Sequence, residues 1–167
     1  MHPSLLLMEE NGAKKALDGM GCHIYNYGNP ATGCYFQKMC LRMIASGVID
    51  GCGVDASQSS AREDQWKISK QAAEIWNAGH ATMMRDLRAR MGNAVLLGDA
   101  DSVGGTWGHL PDTADGIHAE HCHPTNDTVN ALRRLAQTRP GKIVECHYQT
   151  DNDGYFLDAL AAFLVGR

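Results

Sequence analysis

The sequence predicts an α/β fold of successive strand–loop–helix units, on three observations. Five short runs rich in aliphatic, aromatic or β-branched residues are each closed by polar loop residues. Most of them lead into a stretch with apolar residues at helical spacing. No linker, repeat or low-complexity segment interrupts the alternation, so 1–167 reads as a single domain. Strands alternating with helices of this length imply βαβ units and a parallel sheet. The expected architecture is a partial (β/α) barrel of about five parallel strands, although an open wound sheet satisfies the same alternation.

The first predicted strand is His23–Tyr27, ended by Gly28-Asn29-Pro30. A helix follows over about 31–46, with Tyr35, Phe36, Met39, Cys40 and Met43 at helical spacing and Gly47 as its stop. The second strand is Val48–Asp55, leading into the polar loop 56–61. The pattern from Arg62 to Arg90 is helical, with Trp66, Ile75, Trp76, Met83, Leu87 and Met91 on a buried face and a kink or division expected at Asn77-Ala78-Gly79. The third strand, Ala94–Asp99, opens onto a glycine-rich loop with Trp107 and His109. The fourth is Ala114–His121, followed by a helix that Pro124-Thr125-Asn126-Asp127 starts. Pro140-Gly141 turns the chain into the fifth, Lys142–Tyr148, and a last helix covers about 154–165.

Composition narrows the function classes. Hydrophobic residues make up 44% and charged residues 20%, ordinary values for a globular protein. The net charge is -4, and the arginines at 85, 88 and 90 form no extended basic face, which argues against a nucleic-acid partner. The apolar runs Leu5–Met8 and Leu157–Val165 are too short or interrupted to span a bilayer, so no membrane partner is expected. Met1-His2-Pro3 has neither the basic region nor the cleavage site of a secretory signal, and the compartment stays open. No G-x-G-x-x-G follows the first strand and no G-x-x-x-x-G-K-[ST] occurs, so no nucleotide cofactor is expected. Six cysteines without a C-x-x-C pair read as reduced, structural thiols, with Cys52, Cys122 and Cys146 inside strands.

The acids fall where parallel α/β sheets gather their chemistry, at the carboxyl ends of strands. Asp55, Asp99 and Glu120 stand at or near such ends, and Glu145 precedes His147 by two residues. Strand alternation puts Gly51, Gly53 and Asp55 on one face, Gly116, His118 and Glu120 on one face, and Glu145 with His147. An acid after a strand also serves as a helix cap or turn residue, a role that suits Asp99 and Asp101. It suits Asp55 less, because a polar loop separates it from the helix, and Glu120 least, because Thr125 and its neighbours already supply the cap. Asp50 and Asp115, each before a glycine, read as structural residues at strand starts.

Asp50-Gly51-Cys52-Gly53-Val54-Asp55 and Asp115-Gly116-Ile117-His118-Ala119-Glu120 share a D-G-x-x-x-[D/E] layout. With His2–Leu7, Asn11-Gly12 and Tyr25–Pro30, this layout resembles the strand motif of glycoside hydrolases of the (β/α)8, or TIM-barrel, type. The resemblance implies a carbohydrate substrate and hydrolysis of glycosidic bonds by two carboxylates. Asp55 would be the nucleophile or base and Glu120 the general acid. Asn26, Asp99, Trp107, His118, Glu145 and His147 are the expected substrate-binding residues. Two departures stand out: Asn26 is where such barrels often place an acid, and His118 is where some place an arginine. Trp107 or Tyr148 would offer a sugar ring an apolar face, or simply pack.

Two further readings remain. His118, Glu120, His121 and His123 are good donors for zinc and similar metals, which suggests a metal-dependent barrel hydrolase. Alternation opposes it, since His118 and Glu120 would point away from His121, and no H-E-x-x-H is present. The other reading is a non-catalytic barrel fragment or interaction module. A full eight-stranded barrel takes about 250 residues, and the segment His2–Leu17 resembles a mid-barrel loop. Open sheet edges would then need covering, by self-association or by a missing barrel half.

Overall fold

A computed structural model describes residues 3–17, 21–54, 61–100, 108–119, 122, 125–138, 140–147 and 153–166. They form two compact units, Met1–Asp50 with Ser60–Gly92, and Gly51–Ser59 with Asn93–Arg167.

The first unit begins with a 3-10 turn, Pro3–Leu5, and three short extended segments. Leu6 bridges Tyr25, Met8 bridges Lys15 and Leu17 bridges His23, all antiparallel. Leu7 N–H donates to Ile24 O at 2.8 Å, and Ala16 N–H donates to Leu7 O at 2.9 Å. The predicted strand at 23–27 is therefore no member of the parallel sheet. Its backbone groups are taken by the N-terminal segments, whose extended character the short run Leu5-Leu6-Leu7 did not reveal.

Helix α1, Pro30–Ala45, starts where expected because Asn29 Oδ1 accepts the Ala31 N–H at 3.0 Å and Pro30 sets the first helical φ. The predicted single helix from Arg62 is two: α2, Glu63–Trp66, and α3, Lys70–Arg90. Lys67 adopts φ 54°, the left-handed conformation that terminates a helix, and Ser69 caps the next one through Oγ and the Ala72 N–H. α3 runs undivided through Asn77-Ala78-Gly79. Gly79 serves a different purpose there: a Cβ on it would lie 2.0 Å from Tyr27 O, so only glycine lets the 25–28 segment lie on the helix.

Leu7, Ala16, Trp66, Ile68, Ala73 and Trp76 make the core of this unit. Trp76 Nε1 donates to Tyr25 O at 2.8 Å, and its ring meets Trp66 edge-on at 5.0 Å. His80 is fully buried, stacked on Trp76 at 5.1 Å and beside Tyr27 at 4.7 Å. Burial in this cluster, with Tyr25 nearby as a smaller cause, pushes the Tyr27 hydroxyl far above the ordinary tyrosine range.

The second unit holds a four-stranded, all-parallel sheet in sequential order. Its strands are β1, Gly51–Val54; β2, Val95–Ala100; β3, Gly116–Ala119; and β4, Ile143–Cys146. The helices are α4, Leu110–Thr113; α5, Asn126–Thr138; and α6, Asp153–Gly166. Asp115 joins β2 and β3 as the sequence anticipates for a strand-start acid: its Oδ2 accepts the Leu96 N–H and its own N–H donates to Leu96 O, both at 2.8 Å.

Alternation divides the sheet into two faces. Leu96, Ile117 and Ala119 are buried on one, where full burial of each large aliphatic side chain contributes about 1.5–3 kcal/mol. Gly98 belongs to the same face and admits Leu110 of α4, whose Cδ2 would lie 2.5 Å from a Cβ there. Leu132 and Leu135 of α5, Val144 and Phe163 of α6 line one apolar cleft of about 360 Å³. The opposite face carries Val95, Leu97 and Asp99, then Gly116 and His118, then Ile143 and Glu145. Val95 and Ile143 are 36% and 45% exposed, so this face is the more open one.

The cysteines depart from the expected reduced state. Cys122 and Cys146 form a disulfide with Cα atoms 5.5 Å apart, and Cys40 and Cys52 are also disulfide-bonded. Cys22 and Cys34 carry thiols. The 24-residue separation of Cys122 and Cys146 corresponds to about 3 kcal/mol of lost unfolded-chain entropy. The pairing depends on the β3–β4 register, which sets Ala119 opposite Cys146. Spacing along the chain carries no such information.

Among the described residues no helix is long and apolar enough to cross a membrane.

Candidate functional site

The polar row begins with register. Asp99 is paired with His118 and His118 with Glu145, so three consecutive parallel strands present Asp, His and Glu side by side. Paired residues share a face, and all three precede the end of their strand by one position. His118 Nδ1 lies 3.1 Å from Glu145 Oε2, and its Nε2 lies 4.0 Å from Asp99 Oδ1. His147, one residue beyond β4, brings its ring to 5.7 Å from that of His118.

Burial grades across the row. The Asp99 side chain is 5% exposed, that of His118 28% and that of Glu145 58%. Exposure thus rises along the row from Asp99 through His118 to Glu145. A buried carboxylate is costly unless neighbouring donors compensate it, and the His118 imidazole stands next to it. Asp99 is not the helix cap or turn residue that its place after an apolar run suggested. It lies within β2, one residue further into the strand than that reading requires.

This arrangement supplies acceptors at Asp99 and Glu145 and a donor–acceptor ring at His118 and His147. Such a mixture suits a ligand dense in hydroxyl groups, each of which donates and accepts. It also places one pair of proton-transfer groups, His118 and Glu145, within hydrogen-bond reach of each other.

The strand-end backbone is fixed on both sides of β4. His147 N–H donates to Ala119 O at 2.8 Å, and Cys122 N–H donates to His147 O at 3.2 Å. The Cys122–Cys146 disulfide joins the same two segments, with Cys146 paired to Ala119 on the opposite face of the sheet. Of the sequence-based candidates, Asp99, His118, Glu145 and His147 are brought together. Asn26 belongs to the first unit, in the turn before α1, where its N–H donates to Leu5 O at 2.8 Å. Asp55, Trp107 and Glu120 lie outside the described residues, as do His121, His123 and Tyr148. Among the described residues no group of three His, Cys, Asp or Glu side chains is disposed to hold a metal ion.

Comparison with protein-family models and with curated proteins returned no match.

Proposed function

We propose that this chain is a glycoside-hydrolase-like protein that binds carbohydrate at the carboxyl ends of its parallel strands and hydrolyses glycosidic bonds there. The observation that carries the reading is the in-register row Asp99–His118–Glu145 on the open face of the sheet. A buried carboxylate such as Asp99 opposes stability unless donors compensate it, and a hydroxyl-rich ligand would supply such donors. The row's place, near the carboxyl ends of parallel strands, is where such sheets bind substrates.

A (β/α) barrel is the architecture in which this arrangement makes sense. The sequential order β1-β2-β3-β4 has no switch point of the kind that marks doubly wound sheets. One face is packed with aliphatic residues beneath helices while the other bears the polar row, as the outside and inside of a barrel wall would.

Asp55 follows β1 directly and Glu120 follows β3 directly in the sequence. In this proposal Glu120 protonates the leaving oxygen and Asp55 attacks the anomeric carbon or activates water. Asp99, His118, Glu145 and His147 hold the sugar hydroxyls. The test is release of reducing ends from a panel of polysaccharides and aryl glycosides. Turnover of at least one, with KM raised in His118→Ala, supports the proposal. Absence of turnover and of saccharide binding across the panel refutes it.

A further inference from the structure

We propose that the Cys122–Cys146 disulfide is a reducible clamp that holds Glu145 and His147 against His118, so that the strand-end site is sensitive to thiol redox state. The inference rests on the sheet-end site described above for its functional consequence, though not for its structural test.

Position is the first argument. Cys146 is the last residue of β4 and stands in sequence between Glu145 and His147, the two groups that meet His118. Cys122 lies three residues past the end of β3, and Glu120 stands two residues before it. The bond therefore ties together the two chain segments on which the site depends.

The second argument is how few other bonds among the described residues secure this corner. Beyond the β3–β4 ladder, the backbone bonds that continue it are His147 N–H to Ala119 O and Cys122 N–H to His147 O. Both involve residues at or next to the disulfide. The Glu145 side chain is largely exposed, and an ion pair with so exposed a partner adds about 0–1 kcal/mol, too little to hold the strand end by itself.

Access is the third. Cys122 is buried whereas Cys146 is half-buried, so Cys146 is the more accessible partner and its sulfur the point of attack in the proposed exchange. A small dithiol would attack it as thiolate and form a mixed disulfide, and Cys122 would leave as a thiolate that takes a proton. The second thiol of the reagent then displaces Cys146, which is protonated in turn. The protein gains two electrons and two protons, and the dithiol becomes its own cyclic disulfide. Reoxidation restores the clamp.

The experiment is residue-resolved amide hydrogen exchange on the full chain, oxidised and after dithiothreitol, together with the double variant Cys122→Ser/Cys146→Ser. The variant separates this bond from the disulfides of Cys40 and Cys52. Exchange at position 122 and at His147 should rise by about tenfold or more in both the reduced protein and the variant, with α5 and β2 amides changing less than about threefold. No rise at 122 and 147 would overturn the proposal, because the hydrogen bonds alone would then hold the corner. A uniform rise across the sheet would overturn it too, showing a general stabiliser and not a local clamp. Neither result depends on catalytic turnover, so failure here is distinct from failure of the carbohydrate reading.

Discussion

His118 Nδ1 faces Glu145 Oε2 at 3.1 Å across the β3–β4 register, while its other nitrogen faces the buried Asp99 at 4.0 Å. One imidazole thus faces an exposed carboxylate and a buried one, and the two carboxylates should respond to substitution to different degrees. Glu145→Gln should change unfolding free energy by no more than about 1 kcal/mol, since an exposed pair contributes little. Asp99→Leu should alter saccharide affinity more than Glu145→Gln does, because it removes the buried acceptor beneath His118. Denaturant unfolding and saccharide titration of both variants check the contrast.

The two faces of the sheet predict a second contrast. Leu96 is fully buried and Val95, its neighbour, is 36% exposed on the opposite face. Leu96→Ala should destabilise by about 2–5 kcal/mol through lost burial and a residual cavity. Val95→Ala should cost about 1 kcal/mol or less, as surface changes do. Equal costs would mean that both faces are packed, contrary to the division described.

These contrasts also mark how far the sequence could be read. The alternation of strands and helices was legible because each of the strands later called β1 to β4 has a short apolar run with its own turn signals. Asp115 was legible as a strand-start residue, since an acid before glycine at the head of a strand has few other uses. The segment 23–27 was not: a run of five residues with alternating aromatics looks the same in a parallel sheet as in an antiparallel bridge to Leu6 and Leu17. The break at Lys67 was hidden because lysine is an ordinary helix residue and nothing in its type signals a φ of 54°. The Asp99–His118–Glu145 row depends on register between strands far apart in sequence, which no local pattern encodes.

Gly79 gives a third prediction. Alanine ordinarily favours a helix interior over glycine by about 1 kcal/mol. Here the added Cβ would meet Tyr27 O at 2.0 Å, well inside contact distance. Gly79→Ala should therefore lower stability by about 1–3 kcal/mol despite its better helix propensity. Gly47→Ala would be a poor control because of its φ of 71°; Ala78→Gly, which is exposed on the same helix, is the suitable one.

Tyr27 predicts the alkaline behaviour of the first unit. Burial raises its folded-state pKa above the ordinary unfolded value of about 10. The folded state then binds more protons than the unfolded state once pH passes that value, so this contribution to stability is fully present below about pH 10 and falls as pH rises further. Tyr27→Phe should flatten the decline above about pH 10. Denaturant midpoints of the two proteins across that range check it, and parallel curves would contradict it.

The central claim is that a pair of carboxylates following β1 and β3 cleaves glycosidic bonds beside the His118 row. The most direct measurement is kcat for Asp55→Asn and Glu120→Gln, against wild type, on a glycoside that the wild-type protein hydrolyses. The account predicts losses of about 10²–10⁴-fold in each, with the Glu120 variant least impaired on aryl glycosides whose leaving group needs no protonation. Near wild-type turnover in either variant would contradict it.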